Sequence, residues 1–186
     1  MSSPSPTLVF VAGYGNSGPE HWQRFWHESL PGSLWVEQAD WDHPEATAWI
    51  DGIERTVATV AGPVFFICHS LGGLAAAAWS RTSTRPVAGA LLVAVPDPDA
   101  PGFPPAIRGF GAPDLSPLRF HGLMITSGND PYITPERSAA IATAWGCARE
   151  DIGRQGHINA ASGLGDWPAG RRFLAREIAR ANSALR

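Results

Sequence analysis

The feature that most constrains the fold of this chain is a regular alternation between short apolar runs and longer stretches of helical composition. The runs are apolar along most of their length rather than at every second residue, which is typical of strands covered on both faces. These runs are Thr7–Ala12, Leu34–Gln38, Val64–Cys68, Ala90–Val95 and Leu123–Ser127, with a weaker one at Ala148–Ile152. The helical stretches are Pro19–Leu30, Pro44–Val60, Leu71–Arg81, Pro135–Trp145 and Pro168–Ala184. The alternation predicts an α/β fold with an open, mostly parallel sheet flanked by helices.

The length of the chain predicts one domain that spans residues 1–186. A chain of this size buries enough surface to form a core without disulfides or metals. The Pro- and Gly-rich stretch Pro96–Pro117 lies too centrally to be a linker between two domains. We expect it to be a long loop above the sheet, since long loops in compact domains often form binding walls or lids.

Charge and the choice of basic residues exclude several classes of function. The formal net charge is −3, which gives no indication of a nucleic-acid surface. All 14 basic residues are arginines. The absence of lysine excludes Schiff-base catalysis, pyridoxal phosphate attachment and the P-loop phosphate lysine. We expect no cofactor.

The N-terminal segment and the cysteines indicate the cellular compartment in which we expect the protein. The first six residues lack basic side chains, and the apolar run Leu8–Ala12 is too short for a signal peptide or a membrane span. Cys68 and Cys147 are too few for a disulfide framework. We therefore expect a cytoplasmic protein that does not bind membranes.

Ser70 lies at a strand-to-helix turn, between the apolar run that ends at Cys68 and the alanine-rich start of the next helix. The nucleophile elbow of hydrolases, G-x-S-x-G, needs small residues two places before and after its serine, because strand and helix backbones approach closely there. Gly72 meets this requirement, and Cys68 is a compact substitute for the usual glycine. The sequence therefore predicts Ser70 as a nucleophile, with a helix cap as its alternative role.

An acid and a base follow Ser70 in the order that such hydrolases use, which is serine, then aspartate or glutamate, then histidine. Asp130 comes just after a predicted strand, where catalytic groups gather in open α/β sheets. Of the six histidines, only His157 follows Asp130, and it comes directly after a glycine in a loop. We predict that Ser70 attacks a carbonyl, that His157 transfers the proton and that Asp130 orients the imidazole. The alternative for Asp130 is a turn or cap residue, with Asp97 or Asp99 as the acid.

The other histidines are expected to have structural roles at the surface or in the core. They are His21 and His27 in the first predicted helix, His43 in a loop and His121 before a strand. His69 is adjacent to the nucleophile, but adjacent side chains diverge at such a turn, so we expect it to pack behind the site. No pair has a zinc-ligand spacing with a third partner, and we therefore expect no metal.

Two backbone N–H donors beside the nucleophile are needed to stabilise a developing oxyanion. The Leu71 N–H lies at the start of the helix after Ser70 and is the first candidate. The second should come from the glycine-rich loop after the first strand, in which Tyr14 has the best position. The alternative for this loop is dinucleotide binding with Asp40 as the ribose partner, which is disfavoured because no well-formed second strand precedes Asp40.

Several short blocks, spread from one end of the chain to the other, form a recognisable set. They are Gly13-Tyr14, Glu20-His21-Trp22, Gln38-Ala39-Asp40-Trp41-Asp42, Pro44, Trp49, His69-Ser70-Leu71-Gly72, Val95-Pro96-Asp97-Pro98, Ser127–Tyr132, Gly156–Asn159 and Ser162–Pro168. With these blocks the chain resembles the small serine hydrolases typified by retinoblastoma-binding protein nine and by YdeN-like bacterial proteins. The resemblance implies a minimal α/β-hydrolase fold without a large cap domain. It also implies a Ser70–Asp130–His157 triad and esterase-like activity on small acyl substrates.

Aromatic residues supply candidates for the substrate pocket. Phe103 and Phe110 belong to the long loop, which we expect on the catalytic side of the sheet, so we predict that both bind substrate. Most of the eight tryptophans are expected to pack in the core instead.

Taken together, the residues and the resemblance predict a carboxylesterase-like serine hydrolase that cleaves a small acyl ester through an acyl-enzyme. Thioesterase, amidase or acyl-transferase activity on the same triad is an alternative. A non-catalytic protein that keeps the fold to bind a partner is another, because fold alone does not determine function. The intact triad residue types and the glycine-rich loop favour an enzyme.

Overall fold

The computed structural model describes residues 5–184, so the N-terminal segment before Ser5 and the last two residues lie outside it. The strands are β1 (Thr7–Val11), β2 (Leu34–Trp35), β3 (Val64–His69), β4 (Val87–Val93), β5 (Gly122–Thr126) and β6 (Ala148–Asp151). The helices are α1 (Trp22–Ser29), α2 (Ala46–Val57), α3 (Leu71–Thr82), α4 (Pro135–Trp145) and α5 (Pro168–Ala184), with a 3₁₀ turn at Ala160–Ser162. Among these residues no helix is long and apolar enough to cross a membrane.

The six strands form one sheet in the order β2-β1-β3-β4-β5-β6, and each of these pairings is parallel. Helices cover both faces, as the apolar strands predict. On β3, Phe66 and Cys68 pack on the side of α2, α3 and α4, whereas Phe65 and Ile67 pack on the side of α1 and α5. Successive side chains of a strand point to opposite faces, so a strand buried on both faces is apolar throughout. The predicted α/β fold with an open parallel sheet is confirmed.

Two strands differ from the prediction by more than one residue at an end. The second was expected at Leu34–Gln38, but only Leu34–Trp35 pairs with β1 before the chain leaves the sheet edge. The fourth was expected at Ala90–Val95 and lies instead at Val87–Val93. It ends there because Ala94 has a positive φ of 51°, which turns the backbone out of the extended conformation.

The first helix begins later than predicted. It was expected from Pro19, but regular helix starts at Trp22. His21 is the N-cap, because its side chain accepts a hydrogen bond from the Gln23 N–H at 3.1 Å. An N-cap side chain of this kind satisfies one of the unpaired N–H groups at the start of a helix. His21 therefore precedes the first turn of α1 and does not lie on the exposed face of that helix.

The predicted long loop connects β4 to β5, and the chain inserts no cap domain there. Because these strands are parallel, the loop must return from the carboxyl end of the sheet to its amino end. On the returning half, Arg81 of α3 donates to the carbonyls of Asp114, Ser116 and Pro117. The indole N–H of Trp145 also donates to the Asp114 carbonyl, at 2.8 Å. These bonds hold the returning half against α3 and α4.

The strand order places a crevice at the carboxyl ends of β1 and β3. These two strands are neighbours, and the chain leads from β1 to β2 on one side and from β3 to β4 on the other. Loops that diverge from such a switch point leave room for a ligand between them. The glycine-rich loop that begins at Gly13 and the turn at Ser70 both lie at this point.

Candidate functional site

Ser70 is the single residue between β3 and α3, and its backbone has φ 53° and ψ −126°. A positive φ is costly for a residue with a Cβ atom, and here it turns the chain sharply from strand to helix. The Ser70 N–H donates to the Val93 carbonyl of the neighbouring strand at 2.9 Å, which anchors the turn. Its side chain makes no capping bond to α3. The helix-cap alternative is therefore wrong.

Two glycines allow the backbones around Ser70 to approach closely. A Cβ on Gly72 would lie 2.7 Å from the Ala12 carbonyl oxygen and closer still to that of Val11. A Cβ on Gly13 would lie 2.8 Å from the Ser70 Cβ. Real Cβ atoms do not pack at such distances, so both positions require glycine. The turn therefore has the close packing that the elbow motif predicts two positions after the nucleophile.

Cys68 occupies the place two residues before Ser70, where the motif usually has glycine. Its side chain is fully buried on the face of the sheet that α2 and α3 cover. Burial raises the pKa of the Cys68 thiol far above its ordinary value, and the thiolate is the reactive form of cysteine. Cys68 is therefore a packing residue that stays protonated and does not compete with the serine.

His157 lies between Ser70 and Asp130. Its Nε2 is 2.8 Å from the Ser70 Oγ, and its Nδ1 is 2.9 and 3.0 Å from the two carboxylate oxygens of Asp130. The carboxylate only accepts, so Nδ1 carries the proton and Nε2 accepts the hydrogen bond that the serine hydroxyl donates. The Asp130 side chain is 1% exposed and also accepts from the Tyr132 N–H at 3.0 Å. A hydroxyl, an imidazole and a carboxylate are thus in contact in a row.

The loops that carry the acid and the base are joined directly. Asn129, next to Asp130, accepts a hydrogen bond at its Oδ1 from the N–H of Gly156, next to His157, at 2.8 Å. Gly156 has φ 57°, which a glycine adopts without strain. The glycine before the histidine is therefore part of the connection that sets the distance between His157 and Asp130.

The two residues predicted to stabilise an oxyanion lie beside Ser70. Leu71 and Tyr14 both border the same cavity as the serine. Leu71 is the first residue of α3, where backbone N–H groups have no partner within the helix. The loop of Tyr14 is held by the Gly15 N–H, which donates to the Trp41 carbonyl at 2.9 Å. Both residues are thus in place to offer backbone N–H groups to a ligand bound at Ser70.

A cavity of about 390 Å³ opens beside Ser70 and His157. Its walls are mainly apolar and include Phe103 and Ile107 of the long loop, so Phe103 lies where the sequence predicts it. Polar atoms come from a few side chains, among them Asn159. Among the described residues, no aspartate, glutamate or arginine borders this cavity. The site is thus a largely apolar pocket with the serine and histidine in its wall.

Phe110 does not border this cavity, and its predicted position beside the nucleophile is wrong. Its ring packs edge-on against Trp49 of α2 with 6.1 Å between centroids, and it lines a separate cavity of about 240 Å³. The cause is the path of the long loop, which by this point has moved sideways from the nucleophile onto helices α2 and α3. The neighbouring Gly109 already lies against Ala46 at the start of α2.

Two histidines that the sequence assigns to structural roles lie close to His157. His21 is 4% exposed and borders the cavity, and its Nε2 has no hydrogen-bond partner among residues 5–184. Burial, and secondly His157, lower the pKa of His21 to about 4. His69 is also buried, and burial holds its pKa well below the ordinary value. In the sequence, the one indication that His21 lies near the site is its place in the block Glu20-His21-Trp22, which follows the glycine-rich loop.

The alternative acids are engaged elsewhere. The Asp97 carboxylate accepts from the Arg137 guanidinium at 3.0 Å, and Asp99 lies 3.7 Å from the same group. The hydrogen bonds to the His157 ring come from Asp130 and not from these two residues. Of the three aspartates, Asp130 is thus the one whose carboxylate contacts the His157 ring.

The residue that the dinucleotide alternative requires is not at the end of a strand. Asp40, the ribose partner in the dinucleotide alternative, lies in an exposed turn, where it accepts from the N–H groups of Asp42 and His43, both at 2.8 Å. It does not end a strand, because β2 stops at Trp35. Within residues 5–184, no group of three or more histidine, cysteine, aspartate or glutamate side chains is arranged to hold a metal ion.

Comparisons with known proteins give a consistent result. Residues 8–176 match a family model described as serine hydrolase. A YdeN-like hydrolase from Pectobacterium atrosepticum is 32% identical, with a TM-score of 0.85 over 95% of this chain and 92% of that one. The ydeN gene product from B. subtilis is 18% identical, with a TM-score of 0.80 over 94% of this chain and 99% of that one. An esterase from Thermogutta terrifontis is 16% identical, with a TM-score of 0.69 over 97% of this chain and 92% of that one. No curated protein matches at a significant level.

Proposed function

Because the chain belongs to the serine hydrolase family, we propose that it hydrolyses small carboxylic esters with Ser70 as nucleophile, His157 as base and Asp130 as the acid that orients it. One observation carries the proposal, which is the continuous hydrogen-bonded row from the Ser70 Oγ through His157 to Asp130, with contacts of 2.8 and 2.9 Å. Each group in this row has the partner that its role requires.

The first half of the reaction forms an acyl-enzyme. The Ser70 Oγ attacks the ester carbonyl carbon while its proton passes to the His157 Nε2, and the carbonyl oxygen becomes an oxyanion. The N–H groups of Leu71 and Tyr14 stabilise this oxyanion. When the tetrahedral intermediate collapses, the bond to the alkoxy oxygen breaks and His157 returns the proton to the leaving alcohol. The acyl group is then bound to Ser70 as an ester.

The second half repeats these steps with water. His157 removes a proton from a water molecule, whose oxygen attacks the acyl carbon, and the collapse of the second intermediate returns the proton to the Ser70 Oγ. In both halves Asp130 stabilises the imidazolium, because its buried carboxylate accepts from Nδ1. The products are a carboxylic acid, an alcohol and the unchanged enzyme.

The cavity favours uncharged acyl groups. Its walls include Phe103 and Ile107 and contain no charged side chain other than the titratable histidines. The lowered pKa values of His21 and His69 keep both rings neutral near pH 7. A carboxylate or ammonium on the acyl chain would lose its hydration without gaining an ionic partner. Neutral esters of short to medium chain length are therefore the proposed substrates.

Thioester, amide and acyl-transfer chemistry use the same triad, and they differ from ester hydrolysis in the leaving group or in the acceptor. A panel of matched oxygen ester, thioester and anilide substrates with one acyl chain ranks these reactions by kcat/KM. We expect the oxygen ester to be hydrolysed fastest. A higher value for the thioester would replace esterase with thioesterase.

A fluorophosphonate probe tests the assignment of the nucleophile, because it modifies only an activated serine hydroxyl. We expect the wild-type protein to be labelled and Ser70→Ala to be unlabelled, with turnover of p-nitrophenyl butyrate reduced by at least ~10³-fold. Ser183→Ala is the matched control, since Ser183 is exposed on α5 and bonds only to its own helix; it should be labelled like the wild type. Labelling that persists in Ser70→Ala would refute the assignment. A wild-type protein with neither labelling nor turnover would favour the partner-binding alternative.

A further inference from the structure

His69 contacts the backbone of the loop that carries His157. It is the last residue of β3 and directly precedes the serine, and it borders the same cavity as Ser70. Its Nε2 lies 3.0 Å from the backbone carbonyl oxygen of His157. The Ser70 Oγ meanwhile lies 2.8 Å from the ring Nε2 of the same residue. Ser70 thus contacts the ring of His157, and the residue before it, His69, contacts the backbone of His157.

The contact fixes the protonation of the His69 ring. A carbonyl oxygen only accepts hydrogen bonds, so the His69 Nε2 must carry the proton and donate. The ring is 5% exposed and packs against His21 and Trp22, with centroids 4.6 and 6.1 Å away. Burial in this aromatic surrounding, together with the nearby His21 and His157, holds the pKa of His69 well below its ordinary value. His69 is therefore a neutral hydrogen-bond donor near pH 7.

The loop that His69 contacts has a backbone that needs support. His157 lies between Gly156 at φ 57° and Ile158 at φ 48°. A positive φ is unfavourable for a β-branched residue and persists only when the surroundings hold it in place. The indole N–H of Trp22 donates to the Ile158 carbonyl at 2.8 Å. Two consecutive carbonyls of this loop therefore accept from buried side-chain donors, one from β3 and one from α1.

We propose that His69 is a positioning residue, whose hydrogen bond to the His157 carbonyl holds the catalytic imidazole at the distance from Ser70 that proton transfer requires. The inference rests on the proposed function, since it assigns His69 a role toward the base of that reaction. A displaced base weakens proton transfer, and small misplacements of catalytic groups reduce rates severely. His69 forms one part of the cavity wall, whereas Phe103 and Ile107, which form the apolar wall, do not depend on the hydrogen bond to His157. The expected effect is thus on kcat more than on KM.

Three substitutions at position 69 test this role with a neutral ester. His69→Leu removes the donor and keeps an apolar side chain, and we expect kcat to fall about 30-fold with KM changed by less than about twofold. His69→Gln keeps an N–H at a reach similar to the imidazole Nε2 and should recover most of kcat. His69→Asn is polar but too short to reach the carbonyl, so it should lose kcat as the leucine variant does. This third variant keeps the test valid even when the leucine variant does not fold.

His27→Leu is the matched control, because His27 is a half-buried histidine that packs against Phe10 and Trp35 outside the cavity. It should keep the wild-type kcat even where it lowers the melting temperature. The positioning role is refuted when His69→Leu and His69→Asn keep wild-type kcat, or when folded His69→Gln is as slow as they are. A wild-type protein that resists the fluorophosphonate probe refutes the proposed function itself, whereas a labelled wild type with unaffected His69 variants refutes only the positioning role.

Discussion

The imidazole of His157 meets the carboxylate of Asp130 with both oxygens near Nδ1, at 2.9 and 3.0 Å, in a site where Asp130 is 1% exposed. A carboxylate in this position fixes the tautomer in which Nε2 accepts the serine proton, and it stabilises the imidazolium that results. An amide can offer its N–H to Nδ1 and favour the opposite tautomer. The relationship therefore makes the charge of Asp130, and not only its shape, decisive for the proposed reaction.

Asp130→Asn is expected to lower kcat for a short-chain aryl ester by ~10³-fold or more with little change in stability, because the isosteric amide keeps the packing and loses the tautomer control. Steady-state kinetics and a melting curve measure the two effects. Asp97→Asn is the matched control, because Asp97 pairs with Arg137 instead of His157. It should keep activity within a few-fold. If Asp97→Asn were the inactive variant of the two, the acid would be misassigned.

Gly72→Ala tests the close approach of α3 to β1. An added Cβ would collide with the backbone carbonyl oxygens of Val11 and Ala12, and backbone atoms cannot move aside as a flexible side chain can. We expect the free energy of unfolding to fall by about 3 kcal/mol, at the upper end of the range for overpacking, as measured by urea denaturation.

The control for this substitution is Gly62→Ala, at a glycine whose added Cβ would meet nothing within 4 Å. Its free energy of unfolding should change by less than about 0.5 kcal/mol. Equal effects of the two substitutions would mean that the approach of α3 to β1 is looser than the structure has it.

Stability should fall as the pH is lowered through the region below neutrality, because of His21. Its pKa is lowered from 6.5 to about 4 in the folded state, mainly by burial. Between these values the unfolded chain binds a proton that the folded protein does not bind, so unfolding becomes more favourable as the pH falls. Below about pH 4 both states are protonated and the loss from His21 is complete, at about 3 kcal/mol. The pKa of His69 is shifted in the same direction and adds to this loss.

Urea denaturation at a series of pH values measures this effect. His21→Asn removes the titrating ring and keeps an oxygen that can cap α1, so the variant should lose less stability between pH 6.5 and pH 4 than the wild type. His43→Asn is the control, because the His43 side chain is 73% exposed. A His21→Asn variant with the wild-type pH dependence would show that His21 is not buried as a neutral ring.

The fold could be predicted because its signals are local. The apolar strand Val64–Cys68 is typical of burial on both faces, and the sequence placed Ser70 and Asp130 at strand ends and His157 in a later loop. The structure brings these three side chains together, and the family match confirms the resemblance drawn from the sequence blocks. The catalytic roles themselves stay predictions until the variants are measured.

What could not be predicted depends on where the chain goes between its regular elements. His21 was placed within the predicted helix Pro19–Leu30, but the helix begins at Trp22 and His21 is its buried N-cap. The ring, which was expected to be a structural residue at the surface or in the core, therefore borders the cavity. Phe110 was misplaced for a similar reason, because a loop rich in proline and glycine has no periodicity that shows where it turns back along α2.

Substitutions of the two phenylalanines in the long loop are expected to affect different properties, namely substrate binding for Phe103 and stability for Phe110. Phe103 borders the cavity beside Ser70, so Phe103→Ala should raise KM for the longest ester that the wild type hydrolyses well, by about tenfold, with a smaller effect on acetate esters. Phe110 packs against Trp49 away from that cavity. Phe110→Ala should therefore leave KM within about twofold and lower the free energy of unfolding by about 2 kcal/mol. KM measured over a series of acyl chain lengths, together with urea denaturation, distinguishes the two. A chain-length effect that follows Phe110 instead would place the acyl group under the returning half of the loop.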